Sequence, residues 1–204
     1  MAAAAAPIDF YFEFASPYGY LASLRIGAIA RAHGRDVVWR PIMLGAALKA
    51  TGTGPNMHVP MKGPYLLRDA PRFARMLDAP LRLPPVMPMN SLAASRAYWW
   101  LFDQDRDMVE GLAQAVYHAH WGEGRDMSTP GQVAEVAEAT LGVGRGDLLA
   151  AVADPAVKAR LKAETDRSLE RGVFGSPFIL VDDEPFWGAD RLDQVERWLR
   201  TGGW

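Results

Sequence analysis

Residues 8–20 read Ile-Asp-Phe-Tyr-Phe-Glu-Phe-Ala-Ser-Pro-Tyr-Gly-Tyr, and the spacing of apolar residues changes inside that stretch. Ile8, Phe10, Phe12 and Phe14 alternate with Asp9, Tyr11 and Glu13, the period of a β-strand. Ser16 and Pro17 then supply an N-cap and a residue suited to the first helical turn. An apolar-rich run from Tyr18 to His33 follows and stops at Gly34. Val37–Ile42 has the character of a second strand, with Pro41 near its end. Strand, helix and strand over about 35 residues make a βαβ unit, with parallel strands and a right-handed crossover.

The C-terminal segment returns to strands. Phe178–Val181 is a short apolar run, Asp182-Asp183-Glu184 is a turn, and Pro185–Trp187 is placed to pair back antiparallel. Asp190 is expected to cap a last helix whose apolar stripe is Leu192, Val195, Trp198 and Leu199. Between the two ends the pattern is helical. Leu44–Tyr65, rich in Gly, Pro, Thr, Asn and Met, is expected to be a long ordered loop. Helices are expected at Tyr65–Leu77, where Pro71 bends the helix or shifts its boundary, at Ser91–Phe102 starting from Asn90, and at Met108–His120. Two more are expected at Gln132–Leu141 behind Ser128-Thr129-Pro130, and from Asp154-Pro155 to Gly172. The order βαβ, helices, ββα specifies an α/β protein with one four-stranded mixed sheet: a thioredoxin-like fold carrying an inserted all-helical domain. Residues 7–44 and 172–204 form the thioredoxin-like domain, and residues 45–171 the helical insertion with its approach loop.

Composition narrows the chemistry. The 204 residues are 50% hydrophobic and 23% charged with a formal net charge of −2, which excludes a disordered chain. The near-balance of charge also argues against a nucleic-acid partner, which calls for a basic excess. There is no cysteine, so disulfides, thiolate metal sites, iron–sulfur clusters and a cysteine nucleophile are all excluded. His33, His58, His118 and His120 lack metal-ligand spacing, and no metal is expected; His118 and His120 point to different sides of a helix. Met1–Ala6 is expected to be a short frayed tail or an expression remnant rather than a signal peptide. With no apolar run of about 18 residues, no membrane contact is expected and a cytoplasmic location is the default.

Four groups of residues invite a functional reading. Ser16 sits where the first strand hands over to the first helix, facing unpaired backbone N–H groups and the positive end of the helix dipole, which together favour an anion. A hydroxyl there cannot run thiol–disulfide exchange but can donate to a sulfur anion brought by a ligand; taken alone, a plain serine cap is the commoner reading. Phe174-Gly175-Ser176-Pro177 precedes a strand, where a cis proline would leave the backbone of Ser176 free to pair with a peptide-like ligand; an ordinary strand-initiating proline is the alternative. In Trp187-Gly188-Ala189-Asp190-Arg191, glycine permits close backbone approach, Asp190 suits an ammonium and Arg191 a carboxylate, or Asp190 merely caps its helix. Lys49, Asn56, Lys62, Arg68 and Asn90 belong to the insertion and its approach loop. Lys49 and Lys62 fall in the irregular stretch, where solvation alone would also account for them. Tyr98, Trp99, Trp100 and Phe102 pack a helix or line an aromatic pocket.

Ser16-Pro17-Tyr18, Lys62-Gly63, Trp121-Gly-Glu-Gly124, Phe174-Gly175-Ser176-Pro177 and Phe186-Trp187-Gly188-Ala189-Asp190-Arg191 occur in an order that resembles the bacterial 2-hydroxychromene-2-carboxylate isomerases and their relatives, the kappa-class glutathione transferases. The resemblance spans the chain from Ile8 onward. It implies glutathione as cofactor, a homodimer and a small aromatic carboxylate as substrate. By motif match Ser16 would hydrogen-bond and help ionise the glutathione sulfur. Pro17, Lys62, Ser176 and Pro177 would contact glutathione, with Ser176 pairing to its cysteinyl part, and Gly188, Ala189, Asp190 and Arg191 would hold its γ-glutamyl end. Lys49, Asn56 and Asn90 would face the substrate. Gly19 departs from the serine of many relatives, and Thr53 from the asparagine of kappa transferases.

The implied reaction is cis–trans isomerisation by reversible thiolate addition, with a conjugate-forming transferase of the kappa kind as the alternative. A disulfide oxidoreductase of the DsbA-like kind is eliminated by the absence of cysteine. A non-catalytic binding module would show itself by failing to bind glutathione in calorimetry.

Overall fold

The computed structural model describes residues 6–204; the expected N-terminal tail lies outside the described residues apart from Ala6. β1 (Ile8–Phe12), α1 (Pro17–Ala32) and β2 (Val37–Pro41) form the opening unit, with the two strands parallel and Phe10 opposite Trp39. β3 (Phe178–Val181) and β4 (Glu184–Trp187) complete a four-stranded sheet in the order β2-β1-β3-β4, β3 running antiparallel to both neighbours. The mixed sheet is the one expected from the βαβ and ββα ends.

β1 is an interior strand, and its neighbours remove the wet face that its alternation suggested. Ile8, Phe10 and Phe12 enter the main core with Ile179, Val181 and Leu21. Tyr11 turns the other way onto Ile42, Val173, Phe178 and Leu180. Tyr11 and Glu13 are therefore only 3% and 4% exposed, as happens when a strand is covered on both sides.

The helical stretch comprises α2 (Leu44–Ala50), α3 (Lys62–Met76), α4 (Leu92–Gln104), α5 (Val109–Tyr117), α6 (Pro130–Leu141), α7 (Arg145–Ala153) and α8 (Pro155–Glu170). Three expectations need correction here. Leu44–Tyr65 is not one long loop: it holds α2, with Ala47 buried, a 3-10 turn at Asn56–His58 and the start of α3, and the Gly- and Pro-rich composition concealed the short helix. Lys49 thus lies in the last turn of α2 and Lys62 opens α3, so both sit on helices. α7 had no sequence signal, since its N-cap Gly144 offers no capping side chain. Met108–His120 is also not one helix; α5 ends at Tyr117 and continues as a π-helical turn, His118–Gly122. Pro71 stays inside α3.

The aromatic run on α4 is structural. Tyr98 and Trp99 are fully buried, the Tyr98 hydroxyl donating to the Trp39 carbonyl at 2.7 Å and Trp99 Nε1 to that of Pro41 at 3.1 Å. These bonds anchor the helical block to the end of β2. α9 (Leu192–Thr201) buries Leu192 and Val195, with Trp198 and Leu199 packed beside them. Asp190 does not cap it: Ala189–Arg191 forms a separate 3-10 turn, and the Asp190 carboxylate pairs with Arg191 instead. Among the described residues no helix is long and apolar enough to cross a membrane, and no three His, Cys, Asp or Glu gather as a metal site would.

Candidate functional site

The β1–α1 corner and the Ser176–Pro177 bend are bonded to each other. Ser16 Oγ accepts the Gly19 N–H at 3.0 Å, capping α1, and donates to the Ser176 carbonyl at 3.0 Å. Ser176 Oγ accepts the Glu13 N–H at 2.9 Å. The Ser176–Pro177 bond is cis, and the Pro177 carbonyl accepts the Gly188 N–H at 3.0 Å. Ser16 is therefore both a cap and a cross-link. The Ser176 carbonyl, expected to be free for a ligand, is occupied by that hydroxyl.

Two aromatic donors fix the corner from beneath. Tyr117 donates its hydroxyl to the Glu13 carbonyl, and Trp121 its Nε1–H to the Phe14 carbonyl, each at 2.9 Å. Trp121 reaches Phe14 from the π-helical turn after α5, a feature that recurs at functional sites. Gly19 makes the arrangement possible: a Cβ there would stand 2.4 Å from the Tyr117 hydroxyl and 3.0 Å from Ser176 Oγ. Gly188, at φ +113°, carries the chain through a turn that a side chain would crowd against Asp190.

A cleft of about 610 Å³ opens beside this corner. One wall is Ser176, Pro177, Trp187, Gly188, Ala189 and Asp190; the other is Tyr65, Asp69, Arg72, Phe73 and Met76 of α3, with Tyr18 and Asn56 completing the rim. Of the residues singled out in the sequence, Asn56, Ser176, Pro177, Gly188, Ala189 and Asp190 come together here. Ser16 and Pro17 lie just behind, both buried. Lys49, Lys62, Asn90 and Arg191 are not part of its lining. The α3 wall was missed, although positions 65, 69, 72, 73 and 76 repeat at helical spacing and share one face. The helix was recognisable; its orientation toward the site was not.

Charge in the cleft is organised around Asp69. Tyr18 donates to it at 2.6 Å, Tyr65 at 3.1 Å, and Arg72 pairs with it. Partial burial works against ionisation of Asp69, but the hydrogen bonds from Tyr18, Arg72 and Tyr65 outweigh it and hold the carboxyl below its ordinary value. Burial, and then Asp69, raise the Tyr18 phenol, so it remains a donor.

Glu13 is the buried acid of the corner. One carboxyl oxygen accepts the Ala15 N–H at 2.8 Å and the other has no hydrogen-bond partner. Burial pushes its pKa from 4.5 up to about 7, moderated by the nearby Ser91 hydroxyl and the Ala15 N–H. The folded chain keeps this proton between those pH values while the unfolded chain releases it. Stability therefore falls as pH rises from 4.5 toward 7 and levels off above, by about 3 kcal/mol in all. Glu13→Gln removes this titration. Urea unfolding across that window should show the wild-type and variant stabilities converging or crossing by about that amount; parallel profiles would contradict the burial argument.

A family model for the DsbA-like thioredoxin domain matches residues 7–200. The chain is 34% identical over 194 residues to a 2-hydroxychromene-2-carboxylate isomerase of Sphingobium xenophagum, covering 94% of this chain and 97% of that one. It is 27% identical over 211 residues to glutathione S-transferase kappa 2 of Caenorhabditis elegans, covering 94% and 91%. Among solved structures, a selenomethionine form of 2-hydroxychromene-2-carboxylate isomerase superposes with a TM-score of 0.84 at 31% identity, over 93% of this chain and 92% of that one. With its cysteine-free β1–α1 corner, its cis Ser176–Pro177 bend and these matches along nearly its whole length, the chain belongs to the 2-hydroxychromene-2-carboxylate isomerase family of DsbA-like thioredoxin-fold proteins.

Proposed function

We propose that this protein is a glutathione-dependent isomerase that interconverts 2-hydroxychromene-2-carboxylate and trans-o-hydroxybenzylidenepyruvate. The observation that carries the reading is the Ser16 hydroxyl, held at the N-terminus of α1 against the Ser176 carbonyl beside an open cleft, in a chain with no thiol of its own. The lining fits a small γ-glutamyl peptide: the Ser176 backbone, whose carbonyl opens to a ligand once the Ser16 hydroxyl turns away, a carboxylate at Asp190 for an ammonium, and a volume within the usual range for small ligands. Held by Ser176 and Asp190, glutathione would supply a thiolate able to add reversibly to the conjugated double bond and so free rotation about it.

The chain's own residues do the rest. Ser16 turns its proton from the Ser176 carbonyl to the sulfur anion while keeping the Gly19 N–H. The first turn of α1 adds the favourable end of its dipole, which lowers the effective thiol pKa. Asp190 and the Gly188 turn hold the γ-glutamyl end. Phe73, Met76 and Trp187 offer apolar surface to the aromatic ring and limit water around the developing enolate. Residues 7–44 and 172–204 then act as the glutathione-holding domain and residues 45–171 as the cap, in a cytoplasmic homodimer.

A spectrophotometric assay with 2-hydroxychromene-2-carboxylate tests the reading. Equilibration that requires glutathione and consumes none is the expected result. Stoichiometric loss of glutathione into a conjugate would make the protein a transferase, and no glutathione-dependent change would reject both activities.

A further inference from the structure

Five cationic or amide residues attributed to the site by motif leave the cleft without a cation of their own: Lys49, Lys62, Asn90 and Arg191 lie off its walls, and Asn56 is neutral. One cation does line it. Arg72 projects from α3 between Asp69 and the apolar pair Phe73 and Met76, opposite Trp187. A substrate that joins an aromatic ring to a carboxylate needs an apolar surface and a cation within one molecule's span, and this part of the cleft offers both.

The guanidinium is held but not used up. Its two protein hydrogen bonds, to Asp69 and to the Tyr65 hydroxyl at 3.2 Å, both leave from Nη2. Among the described residues Nε and Nη1 make no hydrogen bond, and the side chain is 58% exposed. Asp69 in turn divides its charge among Tyr18, Tyr65 and Arg72, so it orients the fork without fully compensating it. The Tyr65 ring stands 5.8 Å from the guanidinium carbon and limits its swing. A planar guanidinium fixed through Nη2 still presents the Nε–H and Nη1–H groups, and either can donate a charge-assisted hydrogen bond to a carboxylate.

We propose that Arg72, oriented by Asp69 and Tyr65, binds the carboxylate of the aromatic substrate, with the ring lying against Phe73 and Met76. The peptide-edge wall at Ser176–Asp190 is left to glutathione. This inference rests on the isomerase reading for the identity of the substrate, but its ligand chemistry, an aromatic carboxylate, is testable without turnover. A glutathione carboxylate is the other source of the same group, and the experiment separates the two.

Calorimetry with 2-hydroxycinnamate, a non-reacting aromatic carboxylate, is run on the glutathione-loaded wild type, Arg72→Gln and Arg72→Lys. Glutathione affinity is measured on the same three proteins. Arg72→Gln should weaken 2-hydroxycinnamate about 10–100-fold, the loss of a charged hydrogen-bonded pair, with glutathione affinity unchanged. Arg72→Lys should recover part of it, because the charge is kept while the planar N–H groups oriented by Asp69 are lost. In the isomerase assay the same change should appear in KM more than in kcat. Equal binding by wild type and Arg72→Gln, no binding by the wild type, or a loss confined to glutathione would each overturn the proposal. Isomerase activity indifferent to Arg72 would defeat this inference alone, whereas Arg72-dependent binding without any isomerase activity would defeat the functional reading alone.

Discussion

Ser16→Ala lowers turnover at saturating glutathione by about 100-fold or more while the protein stays folded. The size follows from removing a single donor to an anion in a site screened from water, which typically costs two to three orders of magnitude in rate. The structural loss is smaller. Ser16 caps α1 through the Gly19 N–H and donates to the Ser176 carbonyl, each bond contributing about 1 kcal/mol, so melting should fall by about 4–8 °C. Ser16→Asp separates the two roles. An aspartate caps the helix as well as serine does, yet it places a negative charge where the thiolate would lie. A stable but inactive Ser16→Asp protein together with a mildly destabilised, inactive Ser16→Ala protein assigns the hydroxyl to the chemistry. Wild-type turnover in Ser16→Ala would reduce Ser16 to a cap.

Trp121→Ala produces the largest loss of stability, about 3–5 kcal/mol by urea unfolding. The indole is 1% exposed, packs edge-on against His120 and donates to the Phe14 carbonyl from outside the sheet. Removing it leaves a cavity and an unpaired carbonyl two residues from Ser16. Trp121→Phe keeps most of the packing and gives up the hydrogen bond, so it should cost about 1 kcal/mol from that bond plus a modest packing loss. Turnover should follow the same order, since the Phe14–Ser16 turn sets where the hydroxyl points. A loss below about 1.5 kcal/mol for Trp121→Ala would mean the corner is held by Tyr117 alone.

The ends of the chain were legible because their signals are local. Alternation set β1, the Ser16-Pro17 pair set the start of α1, and the acidic turn at Asp182–Glu184 set the β3–β4 hairpin. The opposite face of β1 was not legible, since only the neighbouring strands and the packing above them decide that Glu13 is buried. Residues 44–65 misled for a related reason: their Gly, Pro and Asn content describes the breaks at 51–55 and 59–61, and it outweighs the short helix before them. α7 lacked a cap altogether. The Ser176–Asp190 wall and the Ser16 corner behind it were legible as three short motifs, each ambiguous alone. The α3 wall was not, because Tyr65, Asp69 and Arg72 form an ordinary solvated helix face until α1 supplies Tyr18 to meet them. Lys49 and Lys62 stand on helices rather than in an irregular stretch, because the short α2 and the start of α3 carry no local cap.

A crystal structure of the protein with glutathione bound tests the central claim most directly. The sulfur should lie within hydrogen-bonding distance of Ser16 Oγ, with the γ-glutamyl end at Asp190 and the Ser16–Ser176 bond opened or shared. A sulfur positioned away from the β1–α1 corner, with Ser16 still bonded to the Ser176 carbonyl, would contradict it.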